Sequence, residues 1–589
     1  MKKTYRILGL ICILFALSCD LDKDLDNPNE VGLSTADPTL LMNGIQRDFA
    51  SFMEKVNGAD RVTTTGVDEL IRHRVMAGGF NYQTAYTPQN LDDTWQWAYQ
   101  KVLVNVEAML PLAEEANLTT HVAAAKILKA YTLMTLVDMF GDVPATEALK
   151  GSEGILNPIA DSGSDVYTMA ITALNEARTE LAKTGADAGA ALTRDIYYSG
   201  SRANWTALAN SLELKAQLNL TAQPSLKAAA LTRIGTLLGG SLVDTDAEEF
   251  TYKYGTAAVP ATSRHPYYTD TYRPVAGSAN GWLGTQFMKE MFNGLEPNGT
   301  VQDPRWRYYM YRQVGSLKEA LAIDPKSITC LNTNAQPTGT PNHYIEYYTD
   351  LGRPTLYCAF DPGFYGRDHG NAEGRNPDAQ VVVAPGVYPV GGRVDTNPTG
   401  AAGNPNYRGF TQLGQGANGA GILPLYMSFF TDYMKAEISI LNGDAAGAKT
   451  NLINAVNKSI NRVRSFASSK AQTLPAGLEP AQVIYTSTLS ALYDGAADDD
   501  ERMQIIGKEY WKALFGNGLE AYNLYRRTGK PDDFQPMLRA TSVDPESAGP
   551  FWRSIVYPAV YVNLNSNAAS NEGKATRKVF WDGNPEVLR

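Results

Sequence analysis

Cysteine and histidine are scarce in this sequence. Its 589 residues include four cysteines and five histidines. Four cysteines are too few for a small disulfide-rich scaffold. No two histidines have the spacing of a zinc motif such as His-Glu-x-x-His. His369 directly follows Asp368, but a charged pair between glycines is typical of a turn rather than of an acid–base pair. The sequence therefore predicts no metal centre and no cofactor, and leaves calcium binding open.

Long apolar runs and excess positive charge are also missing. After residue 17, no stretch approaches the roughly 20 apolar residues that a membrane helix needs. The formal net charge is −10, which argues against a nucleic-acid partner. The sequence also lacks the Gly-x-Ser-x-Gly elbow, the P-loop and the dinucleotide-binding glycines. These absences remove the motifs of several large enzyme classes.

The N-terminus has the pattern of a bacterial secretion signal. A basic start precedes an apolar run over residues 7–17 that is too short to span a bilayer. Small residues before Cys19 match a lipoprotein signal peptidase site, so we predict a signal peptide over residues 1–18 and a lipidated Cys19. An ordinary secretory peptide with an incidental Cys19 is the alternative. Residues 19–36 are acidic and polar, and are predicted to form a flexible tether to the membrane.

Two cysteines remain once Cys12 is removed with the signal and Cys19 carries lipid. In an exported protein, a disulfide between Cys330 and Cys358 is then expected. Two separate reduced thiols are the alternative.

Helical periodicity dominates two parts of the chain. Apolar residues recur at intervals of three and four over residues 95–110, which predicts an amphipathic helix, and Pro111 and Asn117 fit its ending. Residues 123–140 are apolar nearly all round, which predicts a helix between other helices. Further predicted helices lie at about 166–181, 204–216, 426–440, 445–464 and 500–525. We interpret residues 90–240 and 424–530 as a scaffold of paired helices.

Some side chains in these helices are predicted to be structural. Glu437 lies near an apolar helix face, where a buried carboxylate needs a partner, and Arg526 or Arg527 is the expected partner. Three tryptophans in helical stripes are predicted to lie in the core: Trp95, Trp97 and Trp205.

The segment from about residue 250 to 421 is rich in tyrosine, glycine, proline and asparagine. This composition predicts long loops with a few small strands, such as 381–384 and 386–390. Because function is often carried by loops on a rigid scaffold, we expect this insertion to form the ligand-binding part.

Aromatic and arginine side chains cluster in this insertion. Aromatic faces stack on sugar rings or apolar cargo, and arginine hydrogen-bonds to hydroxyl or carboxylate groups, so the cluster predicts ligand binding. It runs from Arg264 to Trp282 and contains His265, Tyr267, Tyr268, Tyr272 and Arg273; the predicted ligand contacts are Arg264, Tyr267, Tyr268, Tyr272 and Trp282. A second candidate group contains Arg72, Tyr82 and Tyr86. The alternative is that the tyrosines only pack the loops together.

Short segments spread along nearly the whole chain form a specific combination. Behind Cys19 come Asn27-Pro28-Asn29, Phe140-Gly141-Asp142-Val143-Pro144, Asp303-Pro304-Arg305, Gly366-Arg367-Asp368-His369-Gly370, Tyr388-Pro389 and Arg526-Arg527-Thr528-Gly529. In this order they resemble the SusD-like (SusD/RagB) family of outer-membrane nutrient-binding lipoproteins, in the branch with the GRDHG segment. The family usually carries a glutamate where Val560 and Tyr561 stand, a difference we treat as tolerated drift.

The resemblance implies a mainly α fold, in which tetratricopeptide-like helix pairs pack against an irregular ligand-binding part within a single domain over residues 37–589. It also implies a partner, a TonB-dependent SusC-like outer-membrane transporter over which the protein sits as a lid. We therefore expect the protein to capture oligosaccharide or peptide cargo at the cell surface without catalysis. Two alternatives stay open: a surface hydrolase that uses carboxylates of the insertion, and a helical-repeat scaffold that binds only protein.

Overall fold

The structure is a computed structural model. It describes residues 36–58, 66–75, 85–259, 263–272, 283–296, 299–313, 359–360, 363–366, 369, 383–396, 412–535, 551–571 and 576–585. Helices dominate these residues, and their strands form two-stranded sheets. The prediction of a mainly α fold is therefore confirmed. Other predictions fall outside the described residues: those for the signal peptide, Cys19, most of the tether, Tyr82, Trp282 and the Cys330–Cys358 pair.

The first helical part begins with α1 and ends with α8. Its helices are α1 (Pro38–Val56), α2 (Val67–Leu70), α3 (Asp92–Gln96), a π-helical segment (Trp97–Leu103), α4 (Val104–Glu115), α5 (Thr119–Phe140), α6 (Gly163–Ala182), α7 (Arg202–Leu220) and α8 (Pro224–Leu238). Lys55 in the last turn of α1 lies 3.1 Å from Asp93 at the start of α3. The contact places the end of α1 beside the start of α3.

The remaining helices are short in the loop-rich insertion and longer in the second helical part, and one more short helix follows. They are α9 (Pro266–Thr271), α10 (Thr285–Asn293), α11 (Trp306–Tyr309), α12 (Ser428–Leu441), α13 (Ala445–Ser469), α14 (Leu478–Gly495), α15 (Asp499–Ala513), α16 (Gly518–Thr528) and α17 (Ala559–Leu564). The most extensive helix packing is between α5 and α6 and between α12 and α13.

The uniformly apolar sequence of α5 explains its place at the centre of the first part. The helix is buried around almost its whole circumference, because neighbouring helices cover every face. It ends at Gly141, whose φ of 80° suits glycine. The predicted core positions of Trp95 and Trp205 are confirmed, and Trp97 is partly buried against the core.

Of the two residues expected to mark the end of this helix, Asn117 lies just beyond its end, whereas Pro111 lies within it. Pro111 lies inside α4, which runs to Glu115. Proline removes only one backbone hydrogen bond, and packing of α4 against α1 and α5 maintains the helix on both sides of it.

Short antiparallel strands connect distant parts of the insertion. Strand β1 (Phe250–Lys253) pairs with β6 (Ile422–Tyr426), which brings the two ends of the insertion together. The other strands are β2 (Met310–Tyr311), β3 (Ala359–Phe360), β4 (Phe364–Tyr365) and β5 (Ala384–Pro385), paired as β2 with β5 and β3 with β4. The strand predicted over residues 386–390 is wrong, because the Gly391 amide donates back to Val387 O at 2.7 Å and closes a turn.

A buried ionic cluster fixes the insertion to the second helical part. Arg305 donates to both oxygens of Asp303, at 2.9 and 2.6 Å, and to Glu509 of α15 at 2.7 Å. Tyr485 of α14 also donates to Asp303 at 3.0 Å. Burial opposes the charge of Asp303, yet Arg305 and Lys512 hold the pKa of this carboxyl well below its usual range. Asp303 and Arg305 therefore stay charged in the interior, where each charge depends on the other.

A second buried ion pair confirms the expectation for Glu437. Arg527 of α16 donates from Nε and from a terminal nitrogen to the two oxygens of Glu437, at 2.7 and 2.9 Å. This bidentate contact joins α12 to α16.

We expect the substitution Arg305→Met to lower the free energy of unfolding by roughly 3–5 kcal/mol, because it leaves Asp303 and Glu509 buried without their main partner. Urea denaturation followed by circular dichroism measures the change. In the matched control Arg502→Met, the lost partner is an exposed i,i+3 aspartate, and little change is expected. Equal stability of the two variants would contradict a structural role for the cluster.

Candidate ligand-binding cleft

Five separate segments of the chain meet at one narrow cleft. They are the end of α1, the segment 66–75, the segment 263–272, the turn that contains residues 389 and 390, and the turn between α15 and α16. The cleft contains about 330 Å³ of empty space, including its mouth. The segment 66–75 carries Arg72 of the second predicted group, and the segment 263–272 carries Arg264, Tyr267, Tyr268 and Tyr272 of the first. The fold brings these two segments together, and Tyr267 lines the cleft.

Glycines at the edge of the cleft allow its segments to approach closely. Gly58 follows α1 with a φ of 70°, and a Cβ there would overlap the side chains of Arg74 and Asp68. At Gly516, which has a φ of 98°, a Cβ would lie 2.8 Å from Pro389 Cγ. These positions need glycine both for conformation and for space.

One buried ion pair forms part of the cleft wall. The guanidinium of Arg74 donates through Nε and one terminal nitrogen to the two oxygens of Asp68, and also to Gly58 O. Burial opposes the charge of Arg74, but Asp68 raises the pKa of this guanidinium above its usual value. The pair is thus ionised, with its two charges cancelling each other.

His265 is far from this pair in the sequence, but it lines the same cleft. The backbone N–H of Tyr267 donates to its Nδ1 at 3.1 Å, so the proton of the neutral ring is on Nε2. Burial, with a smaller effect from Arg74, lowers the pKa of His265 to about 3. The imidazole is therefore neutral at physiological pH.

Tyr267 of the first predicted group contacts Arg74, two residues from Arg72 of the second. Its ring centroid lies 5.1 Å from the guanidinium carbon of Arg74, within the range of a cation–π contact. Arg264 of the same segment is partly exposed and donates from Nε to Thr256 O at 2.9 Å.

Two other predicted residues of this segment are buried beside the cleft. The rings of Tyr268 and Tyr272 stack at 4.4 Å. Their hydroxyl groups donate to Gln415 O and Pro385 O, each at 2.8 Å. In this structure both tyrosines pack loops together, which is the alternative considered for them.

The remaining described candidates are also buried. Arg72 adopts a φ of 63°, donates to Gln535 O at 2.9 Å and lies 5.3 Å from the ring centroid of Phe534. Tyr86 donates to Gly66 O at 2.9 Å. Both hold the segments around the cleft, and their contact with a ligand stays a prediction.

The sequence did not predict Asp68 and Arg74 as cleft residues. Arg74 is two positions from the predicted Arg72, so the segment was identified while its residues that face the cleft were not. His265 belongs to the cluster predicted from the sequence, although it was not among the predicted ligand contacts. Asp68 belongs to no recognisable sequence motif, so its place in the cleft becomes visible only when its partner Arg74 is known.

Within the described residues, no group of three or more histidine, cysteine, aspartate or glutamate side chains is arranged to hold a metal ion. In the same part of the chain, no helix has the length and apolarity to cross a membrane.

Comparison with known proteins agrees with this architecture. A family model described as "Starch-binding associating with outer membrane", named SusD-like, matches residues 28–323, just over half of the 589 residues. The chain belongs to the SusD-like family. No curated protein sequence matches it.

Solved structures with the same fold cover nearly the whole chain of this SusD-like protein. A SusD homologue from Bacteroides fragilis has a TM-score of 0.59 at 17% identity, covering 94% of this chain and 98% of its own. A SusD/RagB family protein from Bacteroides thetaiotaomicron has a TM-score of 0.58 at 16% identity, with 92% and 99% covered. A structure described as a chitin-binding protein has a TM-score of 0.60 at 16% identity, with 93% and 100% covered. At these identities the likeness shows the fold alone.

The substitution Gly58→Ala is expected to lower the free energy of unfolding by at least about 1 kcal/mol, because a left-handed alanine is strained and its Cβ displaces the Asp68–Arg74 pair. Gly44→Ala is the matched control within α1, where a Cβ meets open space and stability should rise by roughly 0.5–1 kcal/mol. Thermal or urea unfolding measures both changes. Stabilisation by both substitutions would contradict the close packing at the cleft.

Stability should fall as the pH is lowered from about 6.5, because unfolded His265 binds a proton in that range while the folded residue, with a pKa of about 3, does not. Below pH 6.5, His265→Gln should therefore reduce the slope of unfolding free energy against pH by up to about 1.4 kcal/mol per unit. Urea unfolding at a series of pH values measures the slope. An unchanged slope would show that folded His265 titrates like an exposed histidine.

Proposed function

We propose that this SusD-like protein is a cell-surface lipoprotein that captures oligosaccharide or peptide cargo and delivers it to a TonB-dependent SusC-like transporter, without catalysis. The observation that carries this proposal is the convergence of both predicted aromatic and arginine segments on one cleft, between the insertion and the helical scaffold. Membership of the SusD-like family, whose model is described as starch-binding, supports a nutrient-binding role.

The position of α1 gives a simple arrangement for attachment. The helix has 19 residues, so at 1.5 Å per residue its ends are about 28 Å apart. The predicted tether enters at the end that begins with Pro38, and the cleft lies at the other end. We propose that lipid on Cys19 holds the protein at the outer membrane while the cleft stays one helix length from the attachment point.

The predicted residues take two different roles in this proposal. Arg264, Tyr267, Tyr82 and Trp282 are the candidates for direct contact with cargo. The four buried residues Arg72, Tyr86, Tyr268 and Tyr272 hold the contacting segments in place.

A groove on the helical scaffold supports the alternative of a scaffold that binds only protein. It lies between α4, α5 and α6 and contains about 610 Å³ of space. Its lining includes Leu133, Met169 and the partly exposed Leu149, together with the ion pair between Glu107 and Lys129. This surface is suited to contact with another polypeptide rather than to sugar stacking.

The test is an affinity screen of the soluble chain starting at Asp20 against polysaccharides and peptides, with product analysis of each mixture. We expect retention by one class of cargo and no breakdown. For that cargo, Arg264→Ala and Trp282→Ala should each weaken binding about tenfold or more, as residues central to an interface do. Arg577→Ala, an exposed arginine outside the cleft, is the matched control and should bind normally.

Other outcomes would favour the alternatives. Shortened cargo in the mixtures would indicate a hydrolase. Binding to the transporter without retention of any cargo would indicate a protein-only scaffold.

A further inference from the structure

Two hydrogen-bond donors in the cleft have no partner among the described residues. Arg74 uses Nε and NH2 for Asp68 and Gly58, and its NH1 makes no hydrogen bond to any described residue. His265 uses Nδ1 as an acceptor from Tyr267, and its Nε2–H likewise donates to no described residue. Both side chains line the cleft.

The side-chain acceptors at the same place already have partners. Both carboxylate oxygens of Asp68 accept from Arg74. The amide oxygen of Asn57 accepts from the Leu519 N–H at 2.9 Å, and its nitrogen donates to Met53 O at 3.0 Å. The cleft therefore offers a ligand two donors without a partner, whereas each of these side-chain acceptors would have to be shared with an existing donor.

The cleft carries no net charge. The positive charge of Arg74 is cancelled by Asp68, and the ring of His265 is neutral. An incoming carboxylate or sulfate would be buried against Asp68 without a compensating charge. An incoming ammonium group would meet two donors and would have to share the oxygens of Asp68 or Asn57 with the donors already bonded to them. Charged groups are therefore poor ligands here.

The other walls are apolar. Phe515, Pro389 and Val390 complete the lining, and Phe515 and Val390 are almost fully buried. They give a small alkyl group a place next to the two donors.

We propose that this cleft binds the amide group of an N-acylated compound: its carbonyl oxygen accepts hydrogen bonds from Arg74 NH1 and His265 Nε2, and its alkyl carbon packs on Phe515 and Pro389. A carbonyl oxygen has two lone pairs and no proton, so it satisfies both donors. A sugar hydroxyl would also bring a proton that needs an acceptor. The proposal rests on the proposed function, since it assigns the cargo class of the same cleft.

An N-acylated group can come from an acetylated amino sugar or from a peptide, and titration calorimetry with matched probes distinguishes the two. The probes are a β-1,4-linked hexamer of N-acetylglucosamine, the same hexamer without acetyl groups, a β-1,4-linked glucose hexamer and an N-acetylated peptide of similar length. The soluble chain should bind the acetylated sugar or the acetylated peptide at least tenfold more tightly than both non-acetylated hexamers.

Two variants of His265 test the donor directly. His265→Asn keeps an acceptor for the Tyr267 N–H but removes the donor at Nε2, and should weaken binding of the acylated probe at least tenfold. His265→Gln places an amide N–H near the position of Nε2 and should retain more of the affinity. Arg74→Lys, which preserves the charge beside Asp68 but lacks NH1, should resemble His265→Asn, and a melting curve for each variant checks that it is folded.

The outcomes separate this inference from the proposed function. Equal binding of acetylated and non-acetylated hexamers, or unchanged affinity of folded His265→Asn, would overturn the amide assignment while leaving cargo capture intact. Failure to bind any of the probes or any polysaccharide or peptide of the wider screen would overturn both.

Discussion

The fold depends on the buried ion pairs of Arg305. The insertion has only short strands among its described residues, so backbone ladders alone leave its position weakly specified. Arg305 connects Asp303 of the insertion to Glu509 of α15, and all three side chains are almost fully buried. Charges placed there must keep their partners, so the insertion has one favourable position on the scaffold. A second buried pair, Arg312 with Asp395 at 2.7 Å, fixes the insertion internally.

The cleft follows from this constraint. It is formed by segments from the scaffold and from the insertion, and it exists only while the insertion is held in place. The cleft also contains a buried charge that keeps its partner, because Asp68 orients Arg74 and balances its charge. The cleft therefore presents hydrogen-bond donors to a ligand on a surface without net charge. Such a surface selects its ligand by hydrogen-bonding complementarity and shape more than by electrostatic attraction.

Local sequence patterns predicted much of the scaffold and less of the site. The apolar character of α5 and the need of Glu437 for a partner were both readable from the sequence, because each depends on burial within a periodic helix. The end of α4 was readable only as a choice between Pro111 and Asn117, since the continuation of the helix through Pro111 depends on packing against neighbouring helices. The cleft was located by its segments, but its inward-facing residues depend on contacts between parts of the chain that are hundreds of positions apart, such as Asp68 and Gly518. No local pattern records such contacts.

Hydrogen–deuterium exchange of the soluble chain, with and without a cargo that it retains, tests most directly whether the cleft between insertion and scaffold captures cargo. Our account predicts slower exchange on cargo binding in residues 66–75 and 263–272, with little change in α13 and α14, which lie outside the cleft. Protection confined to the helical scaffold, with these two segments unchanged, would contradict it.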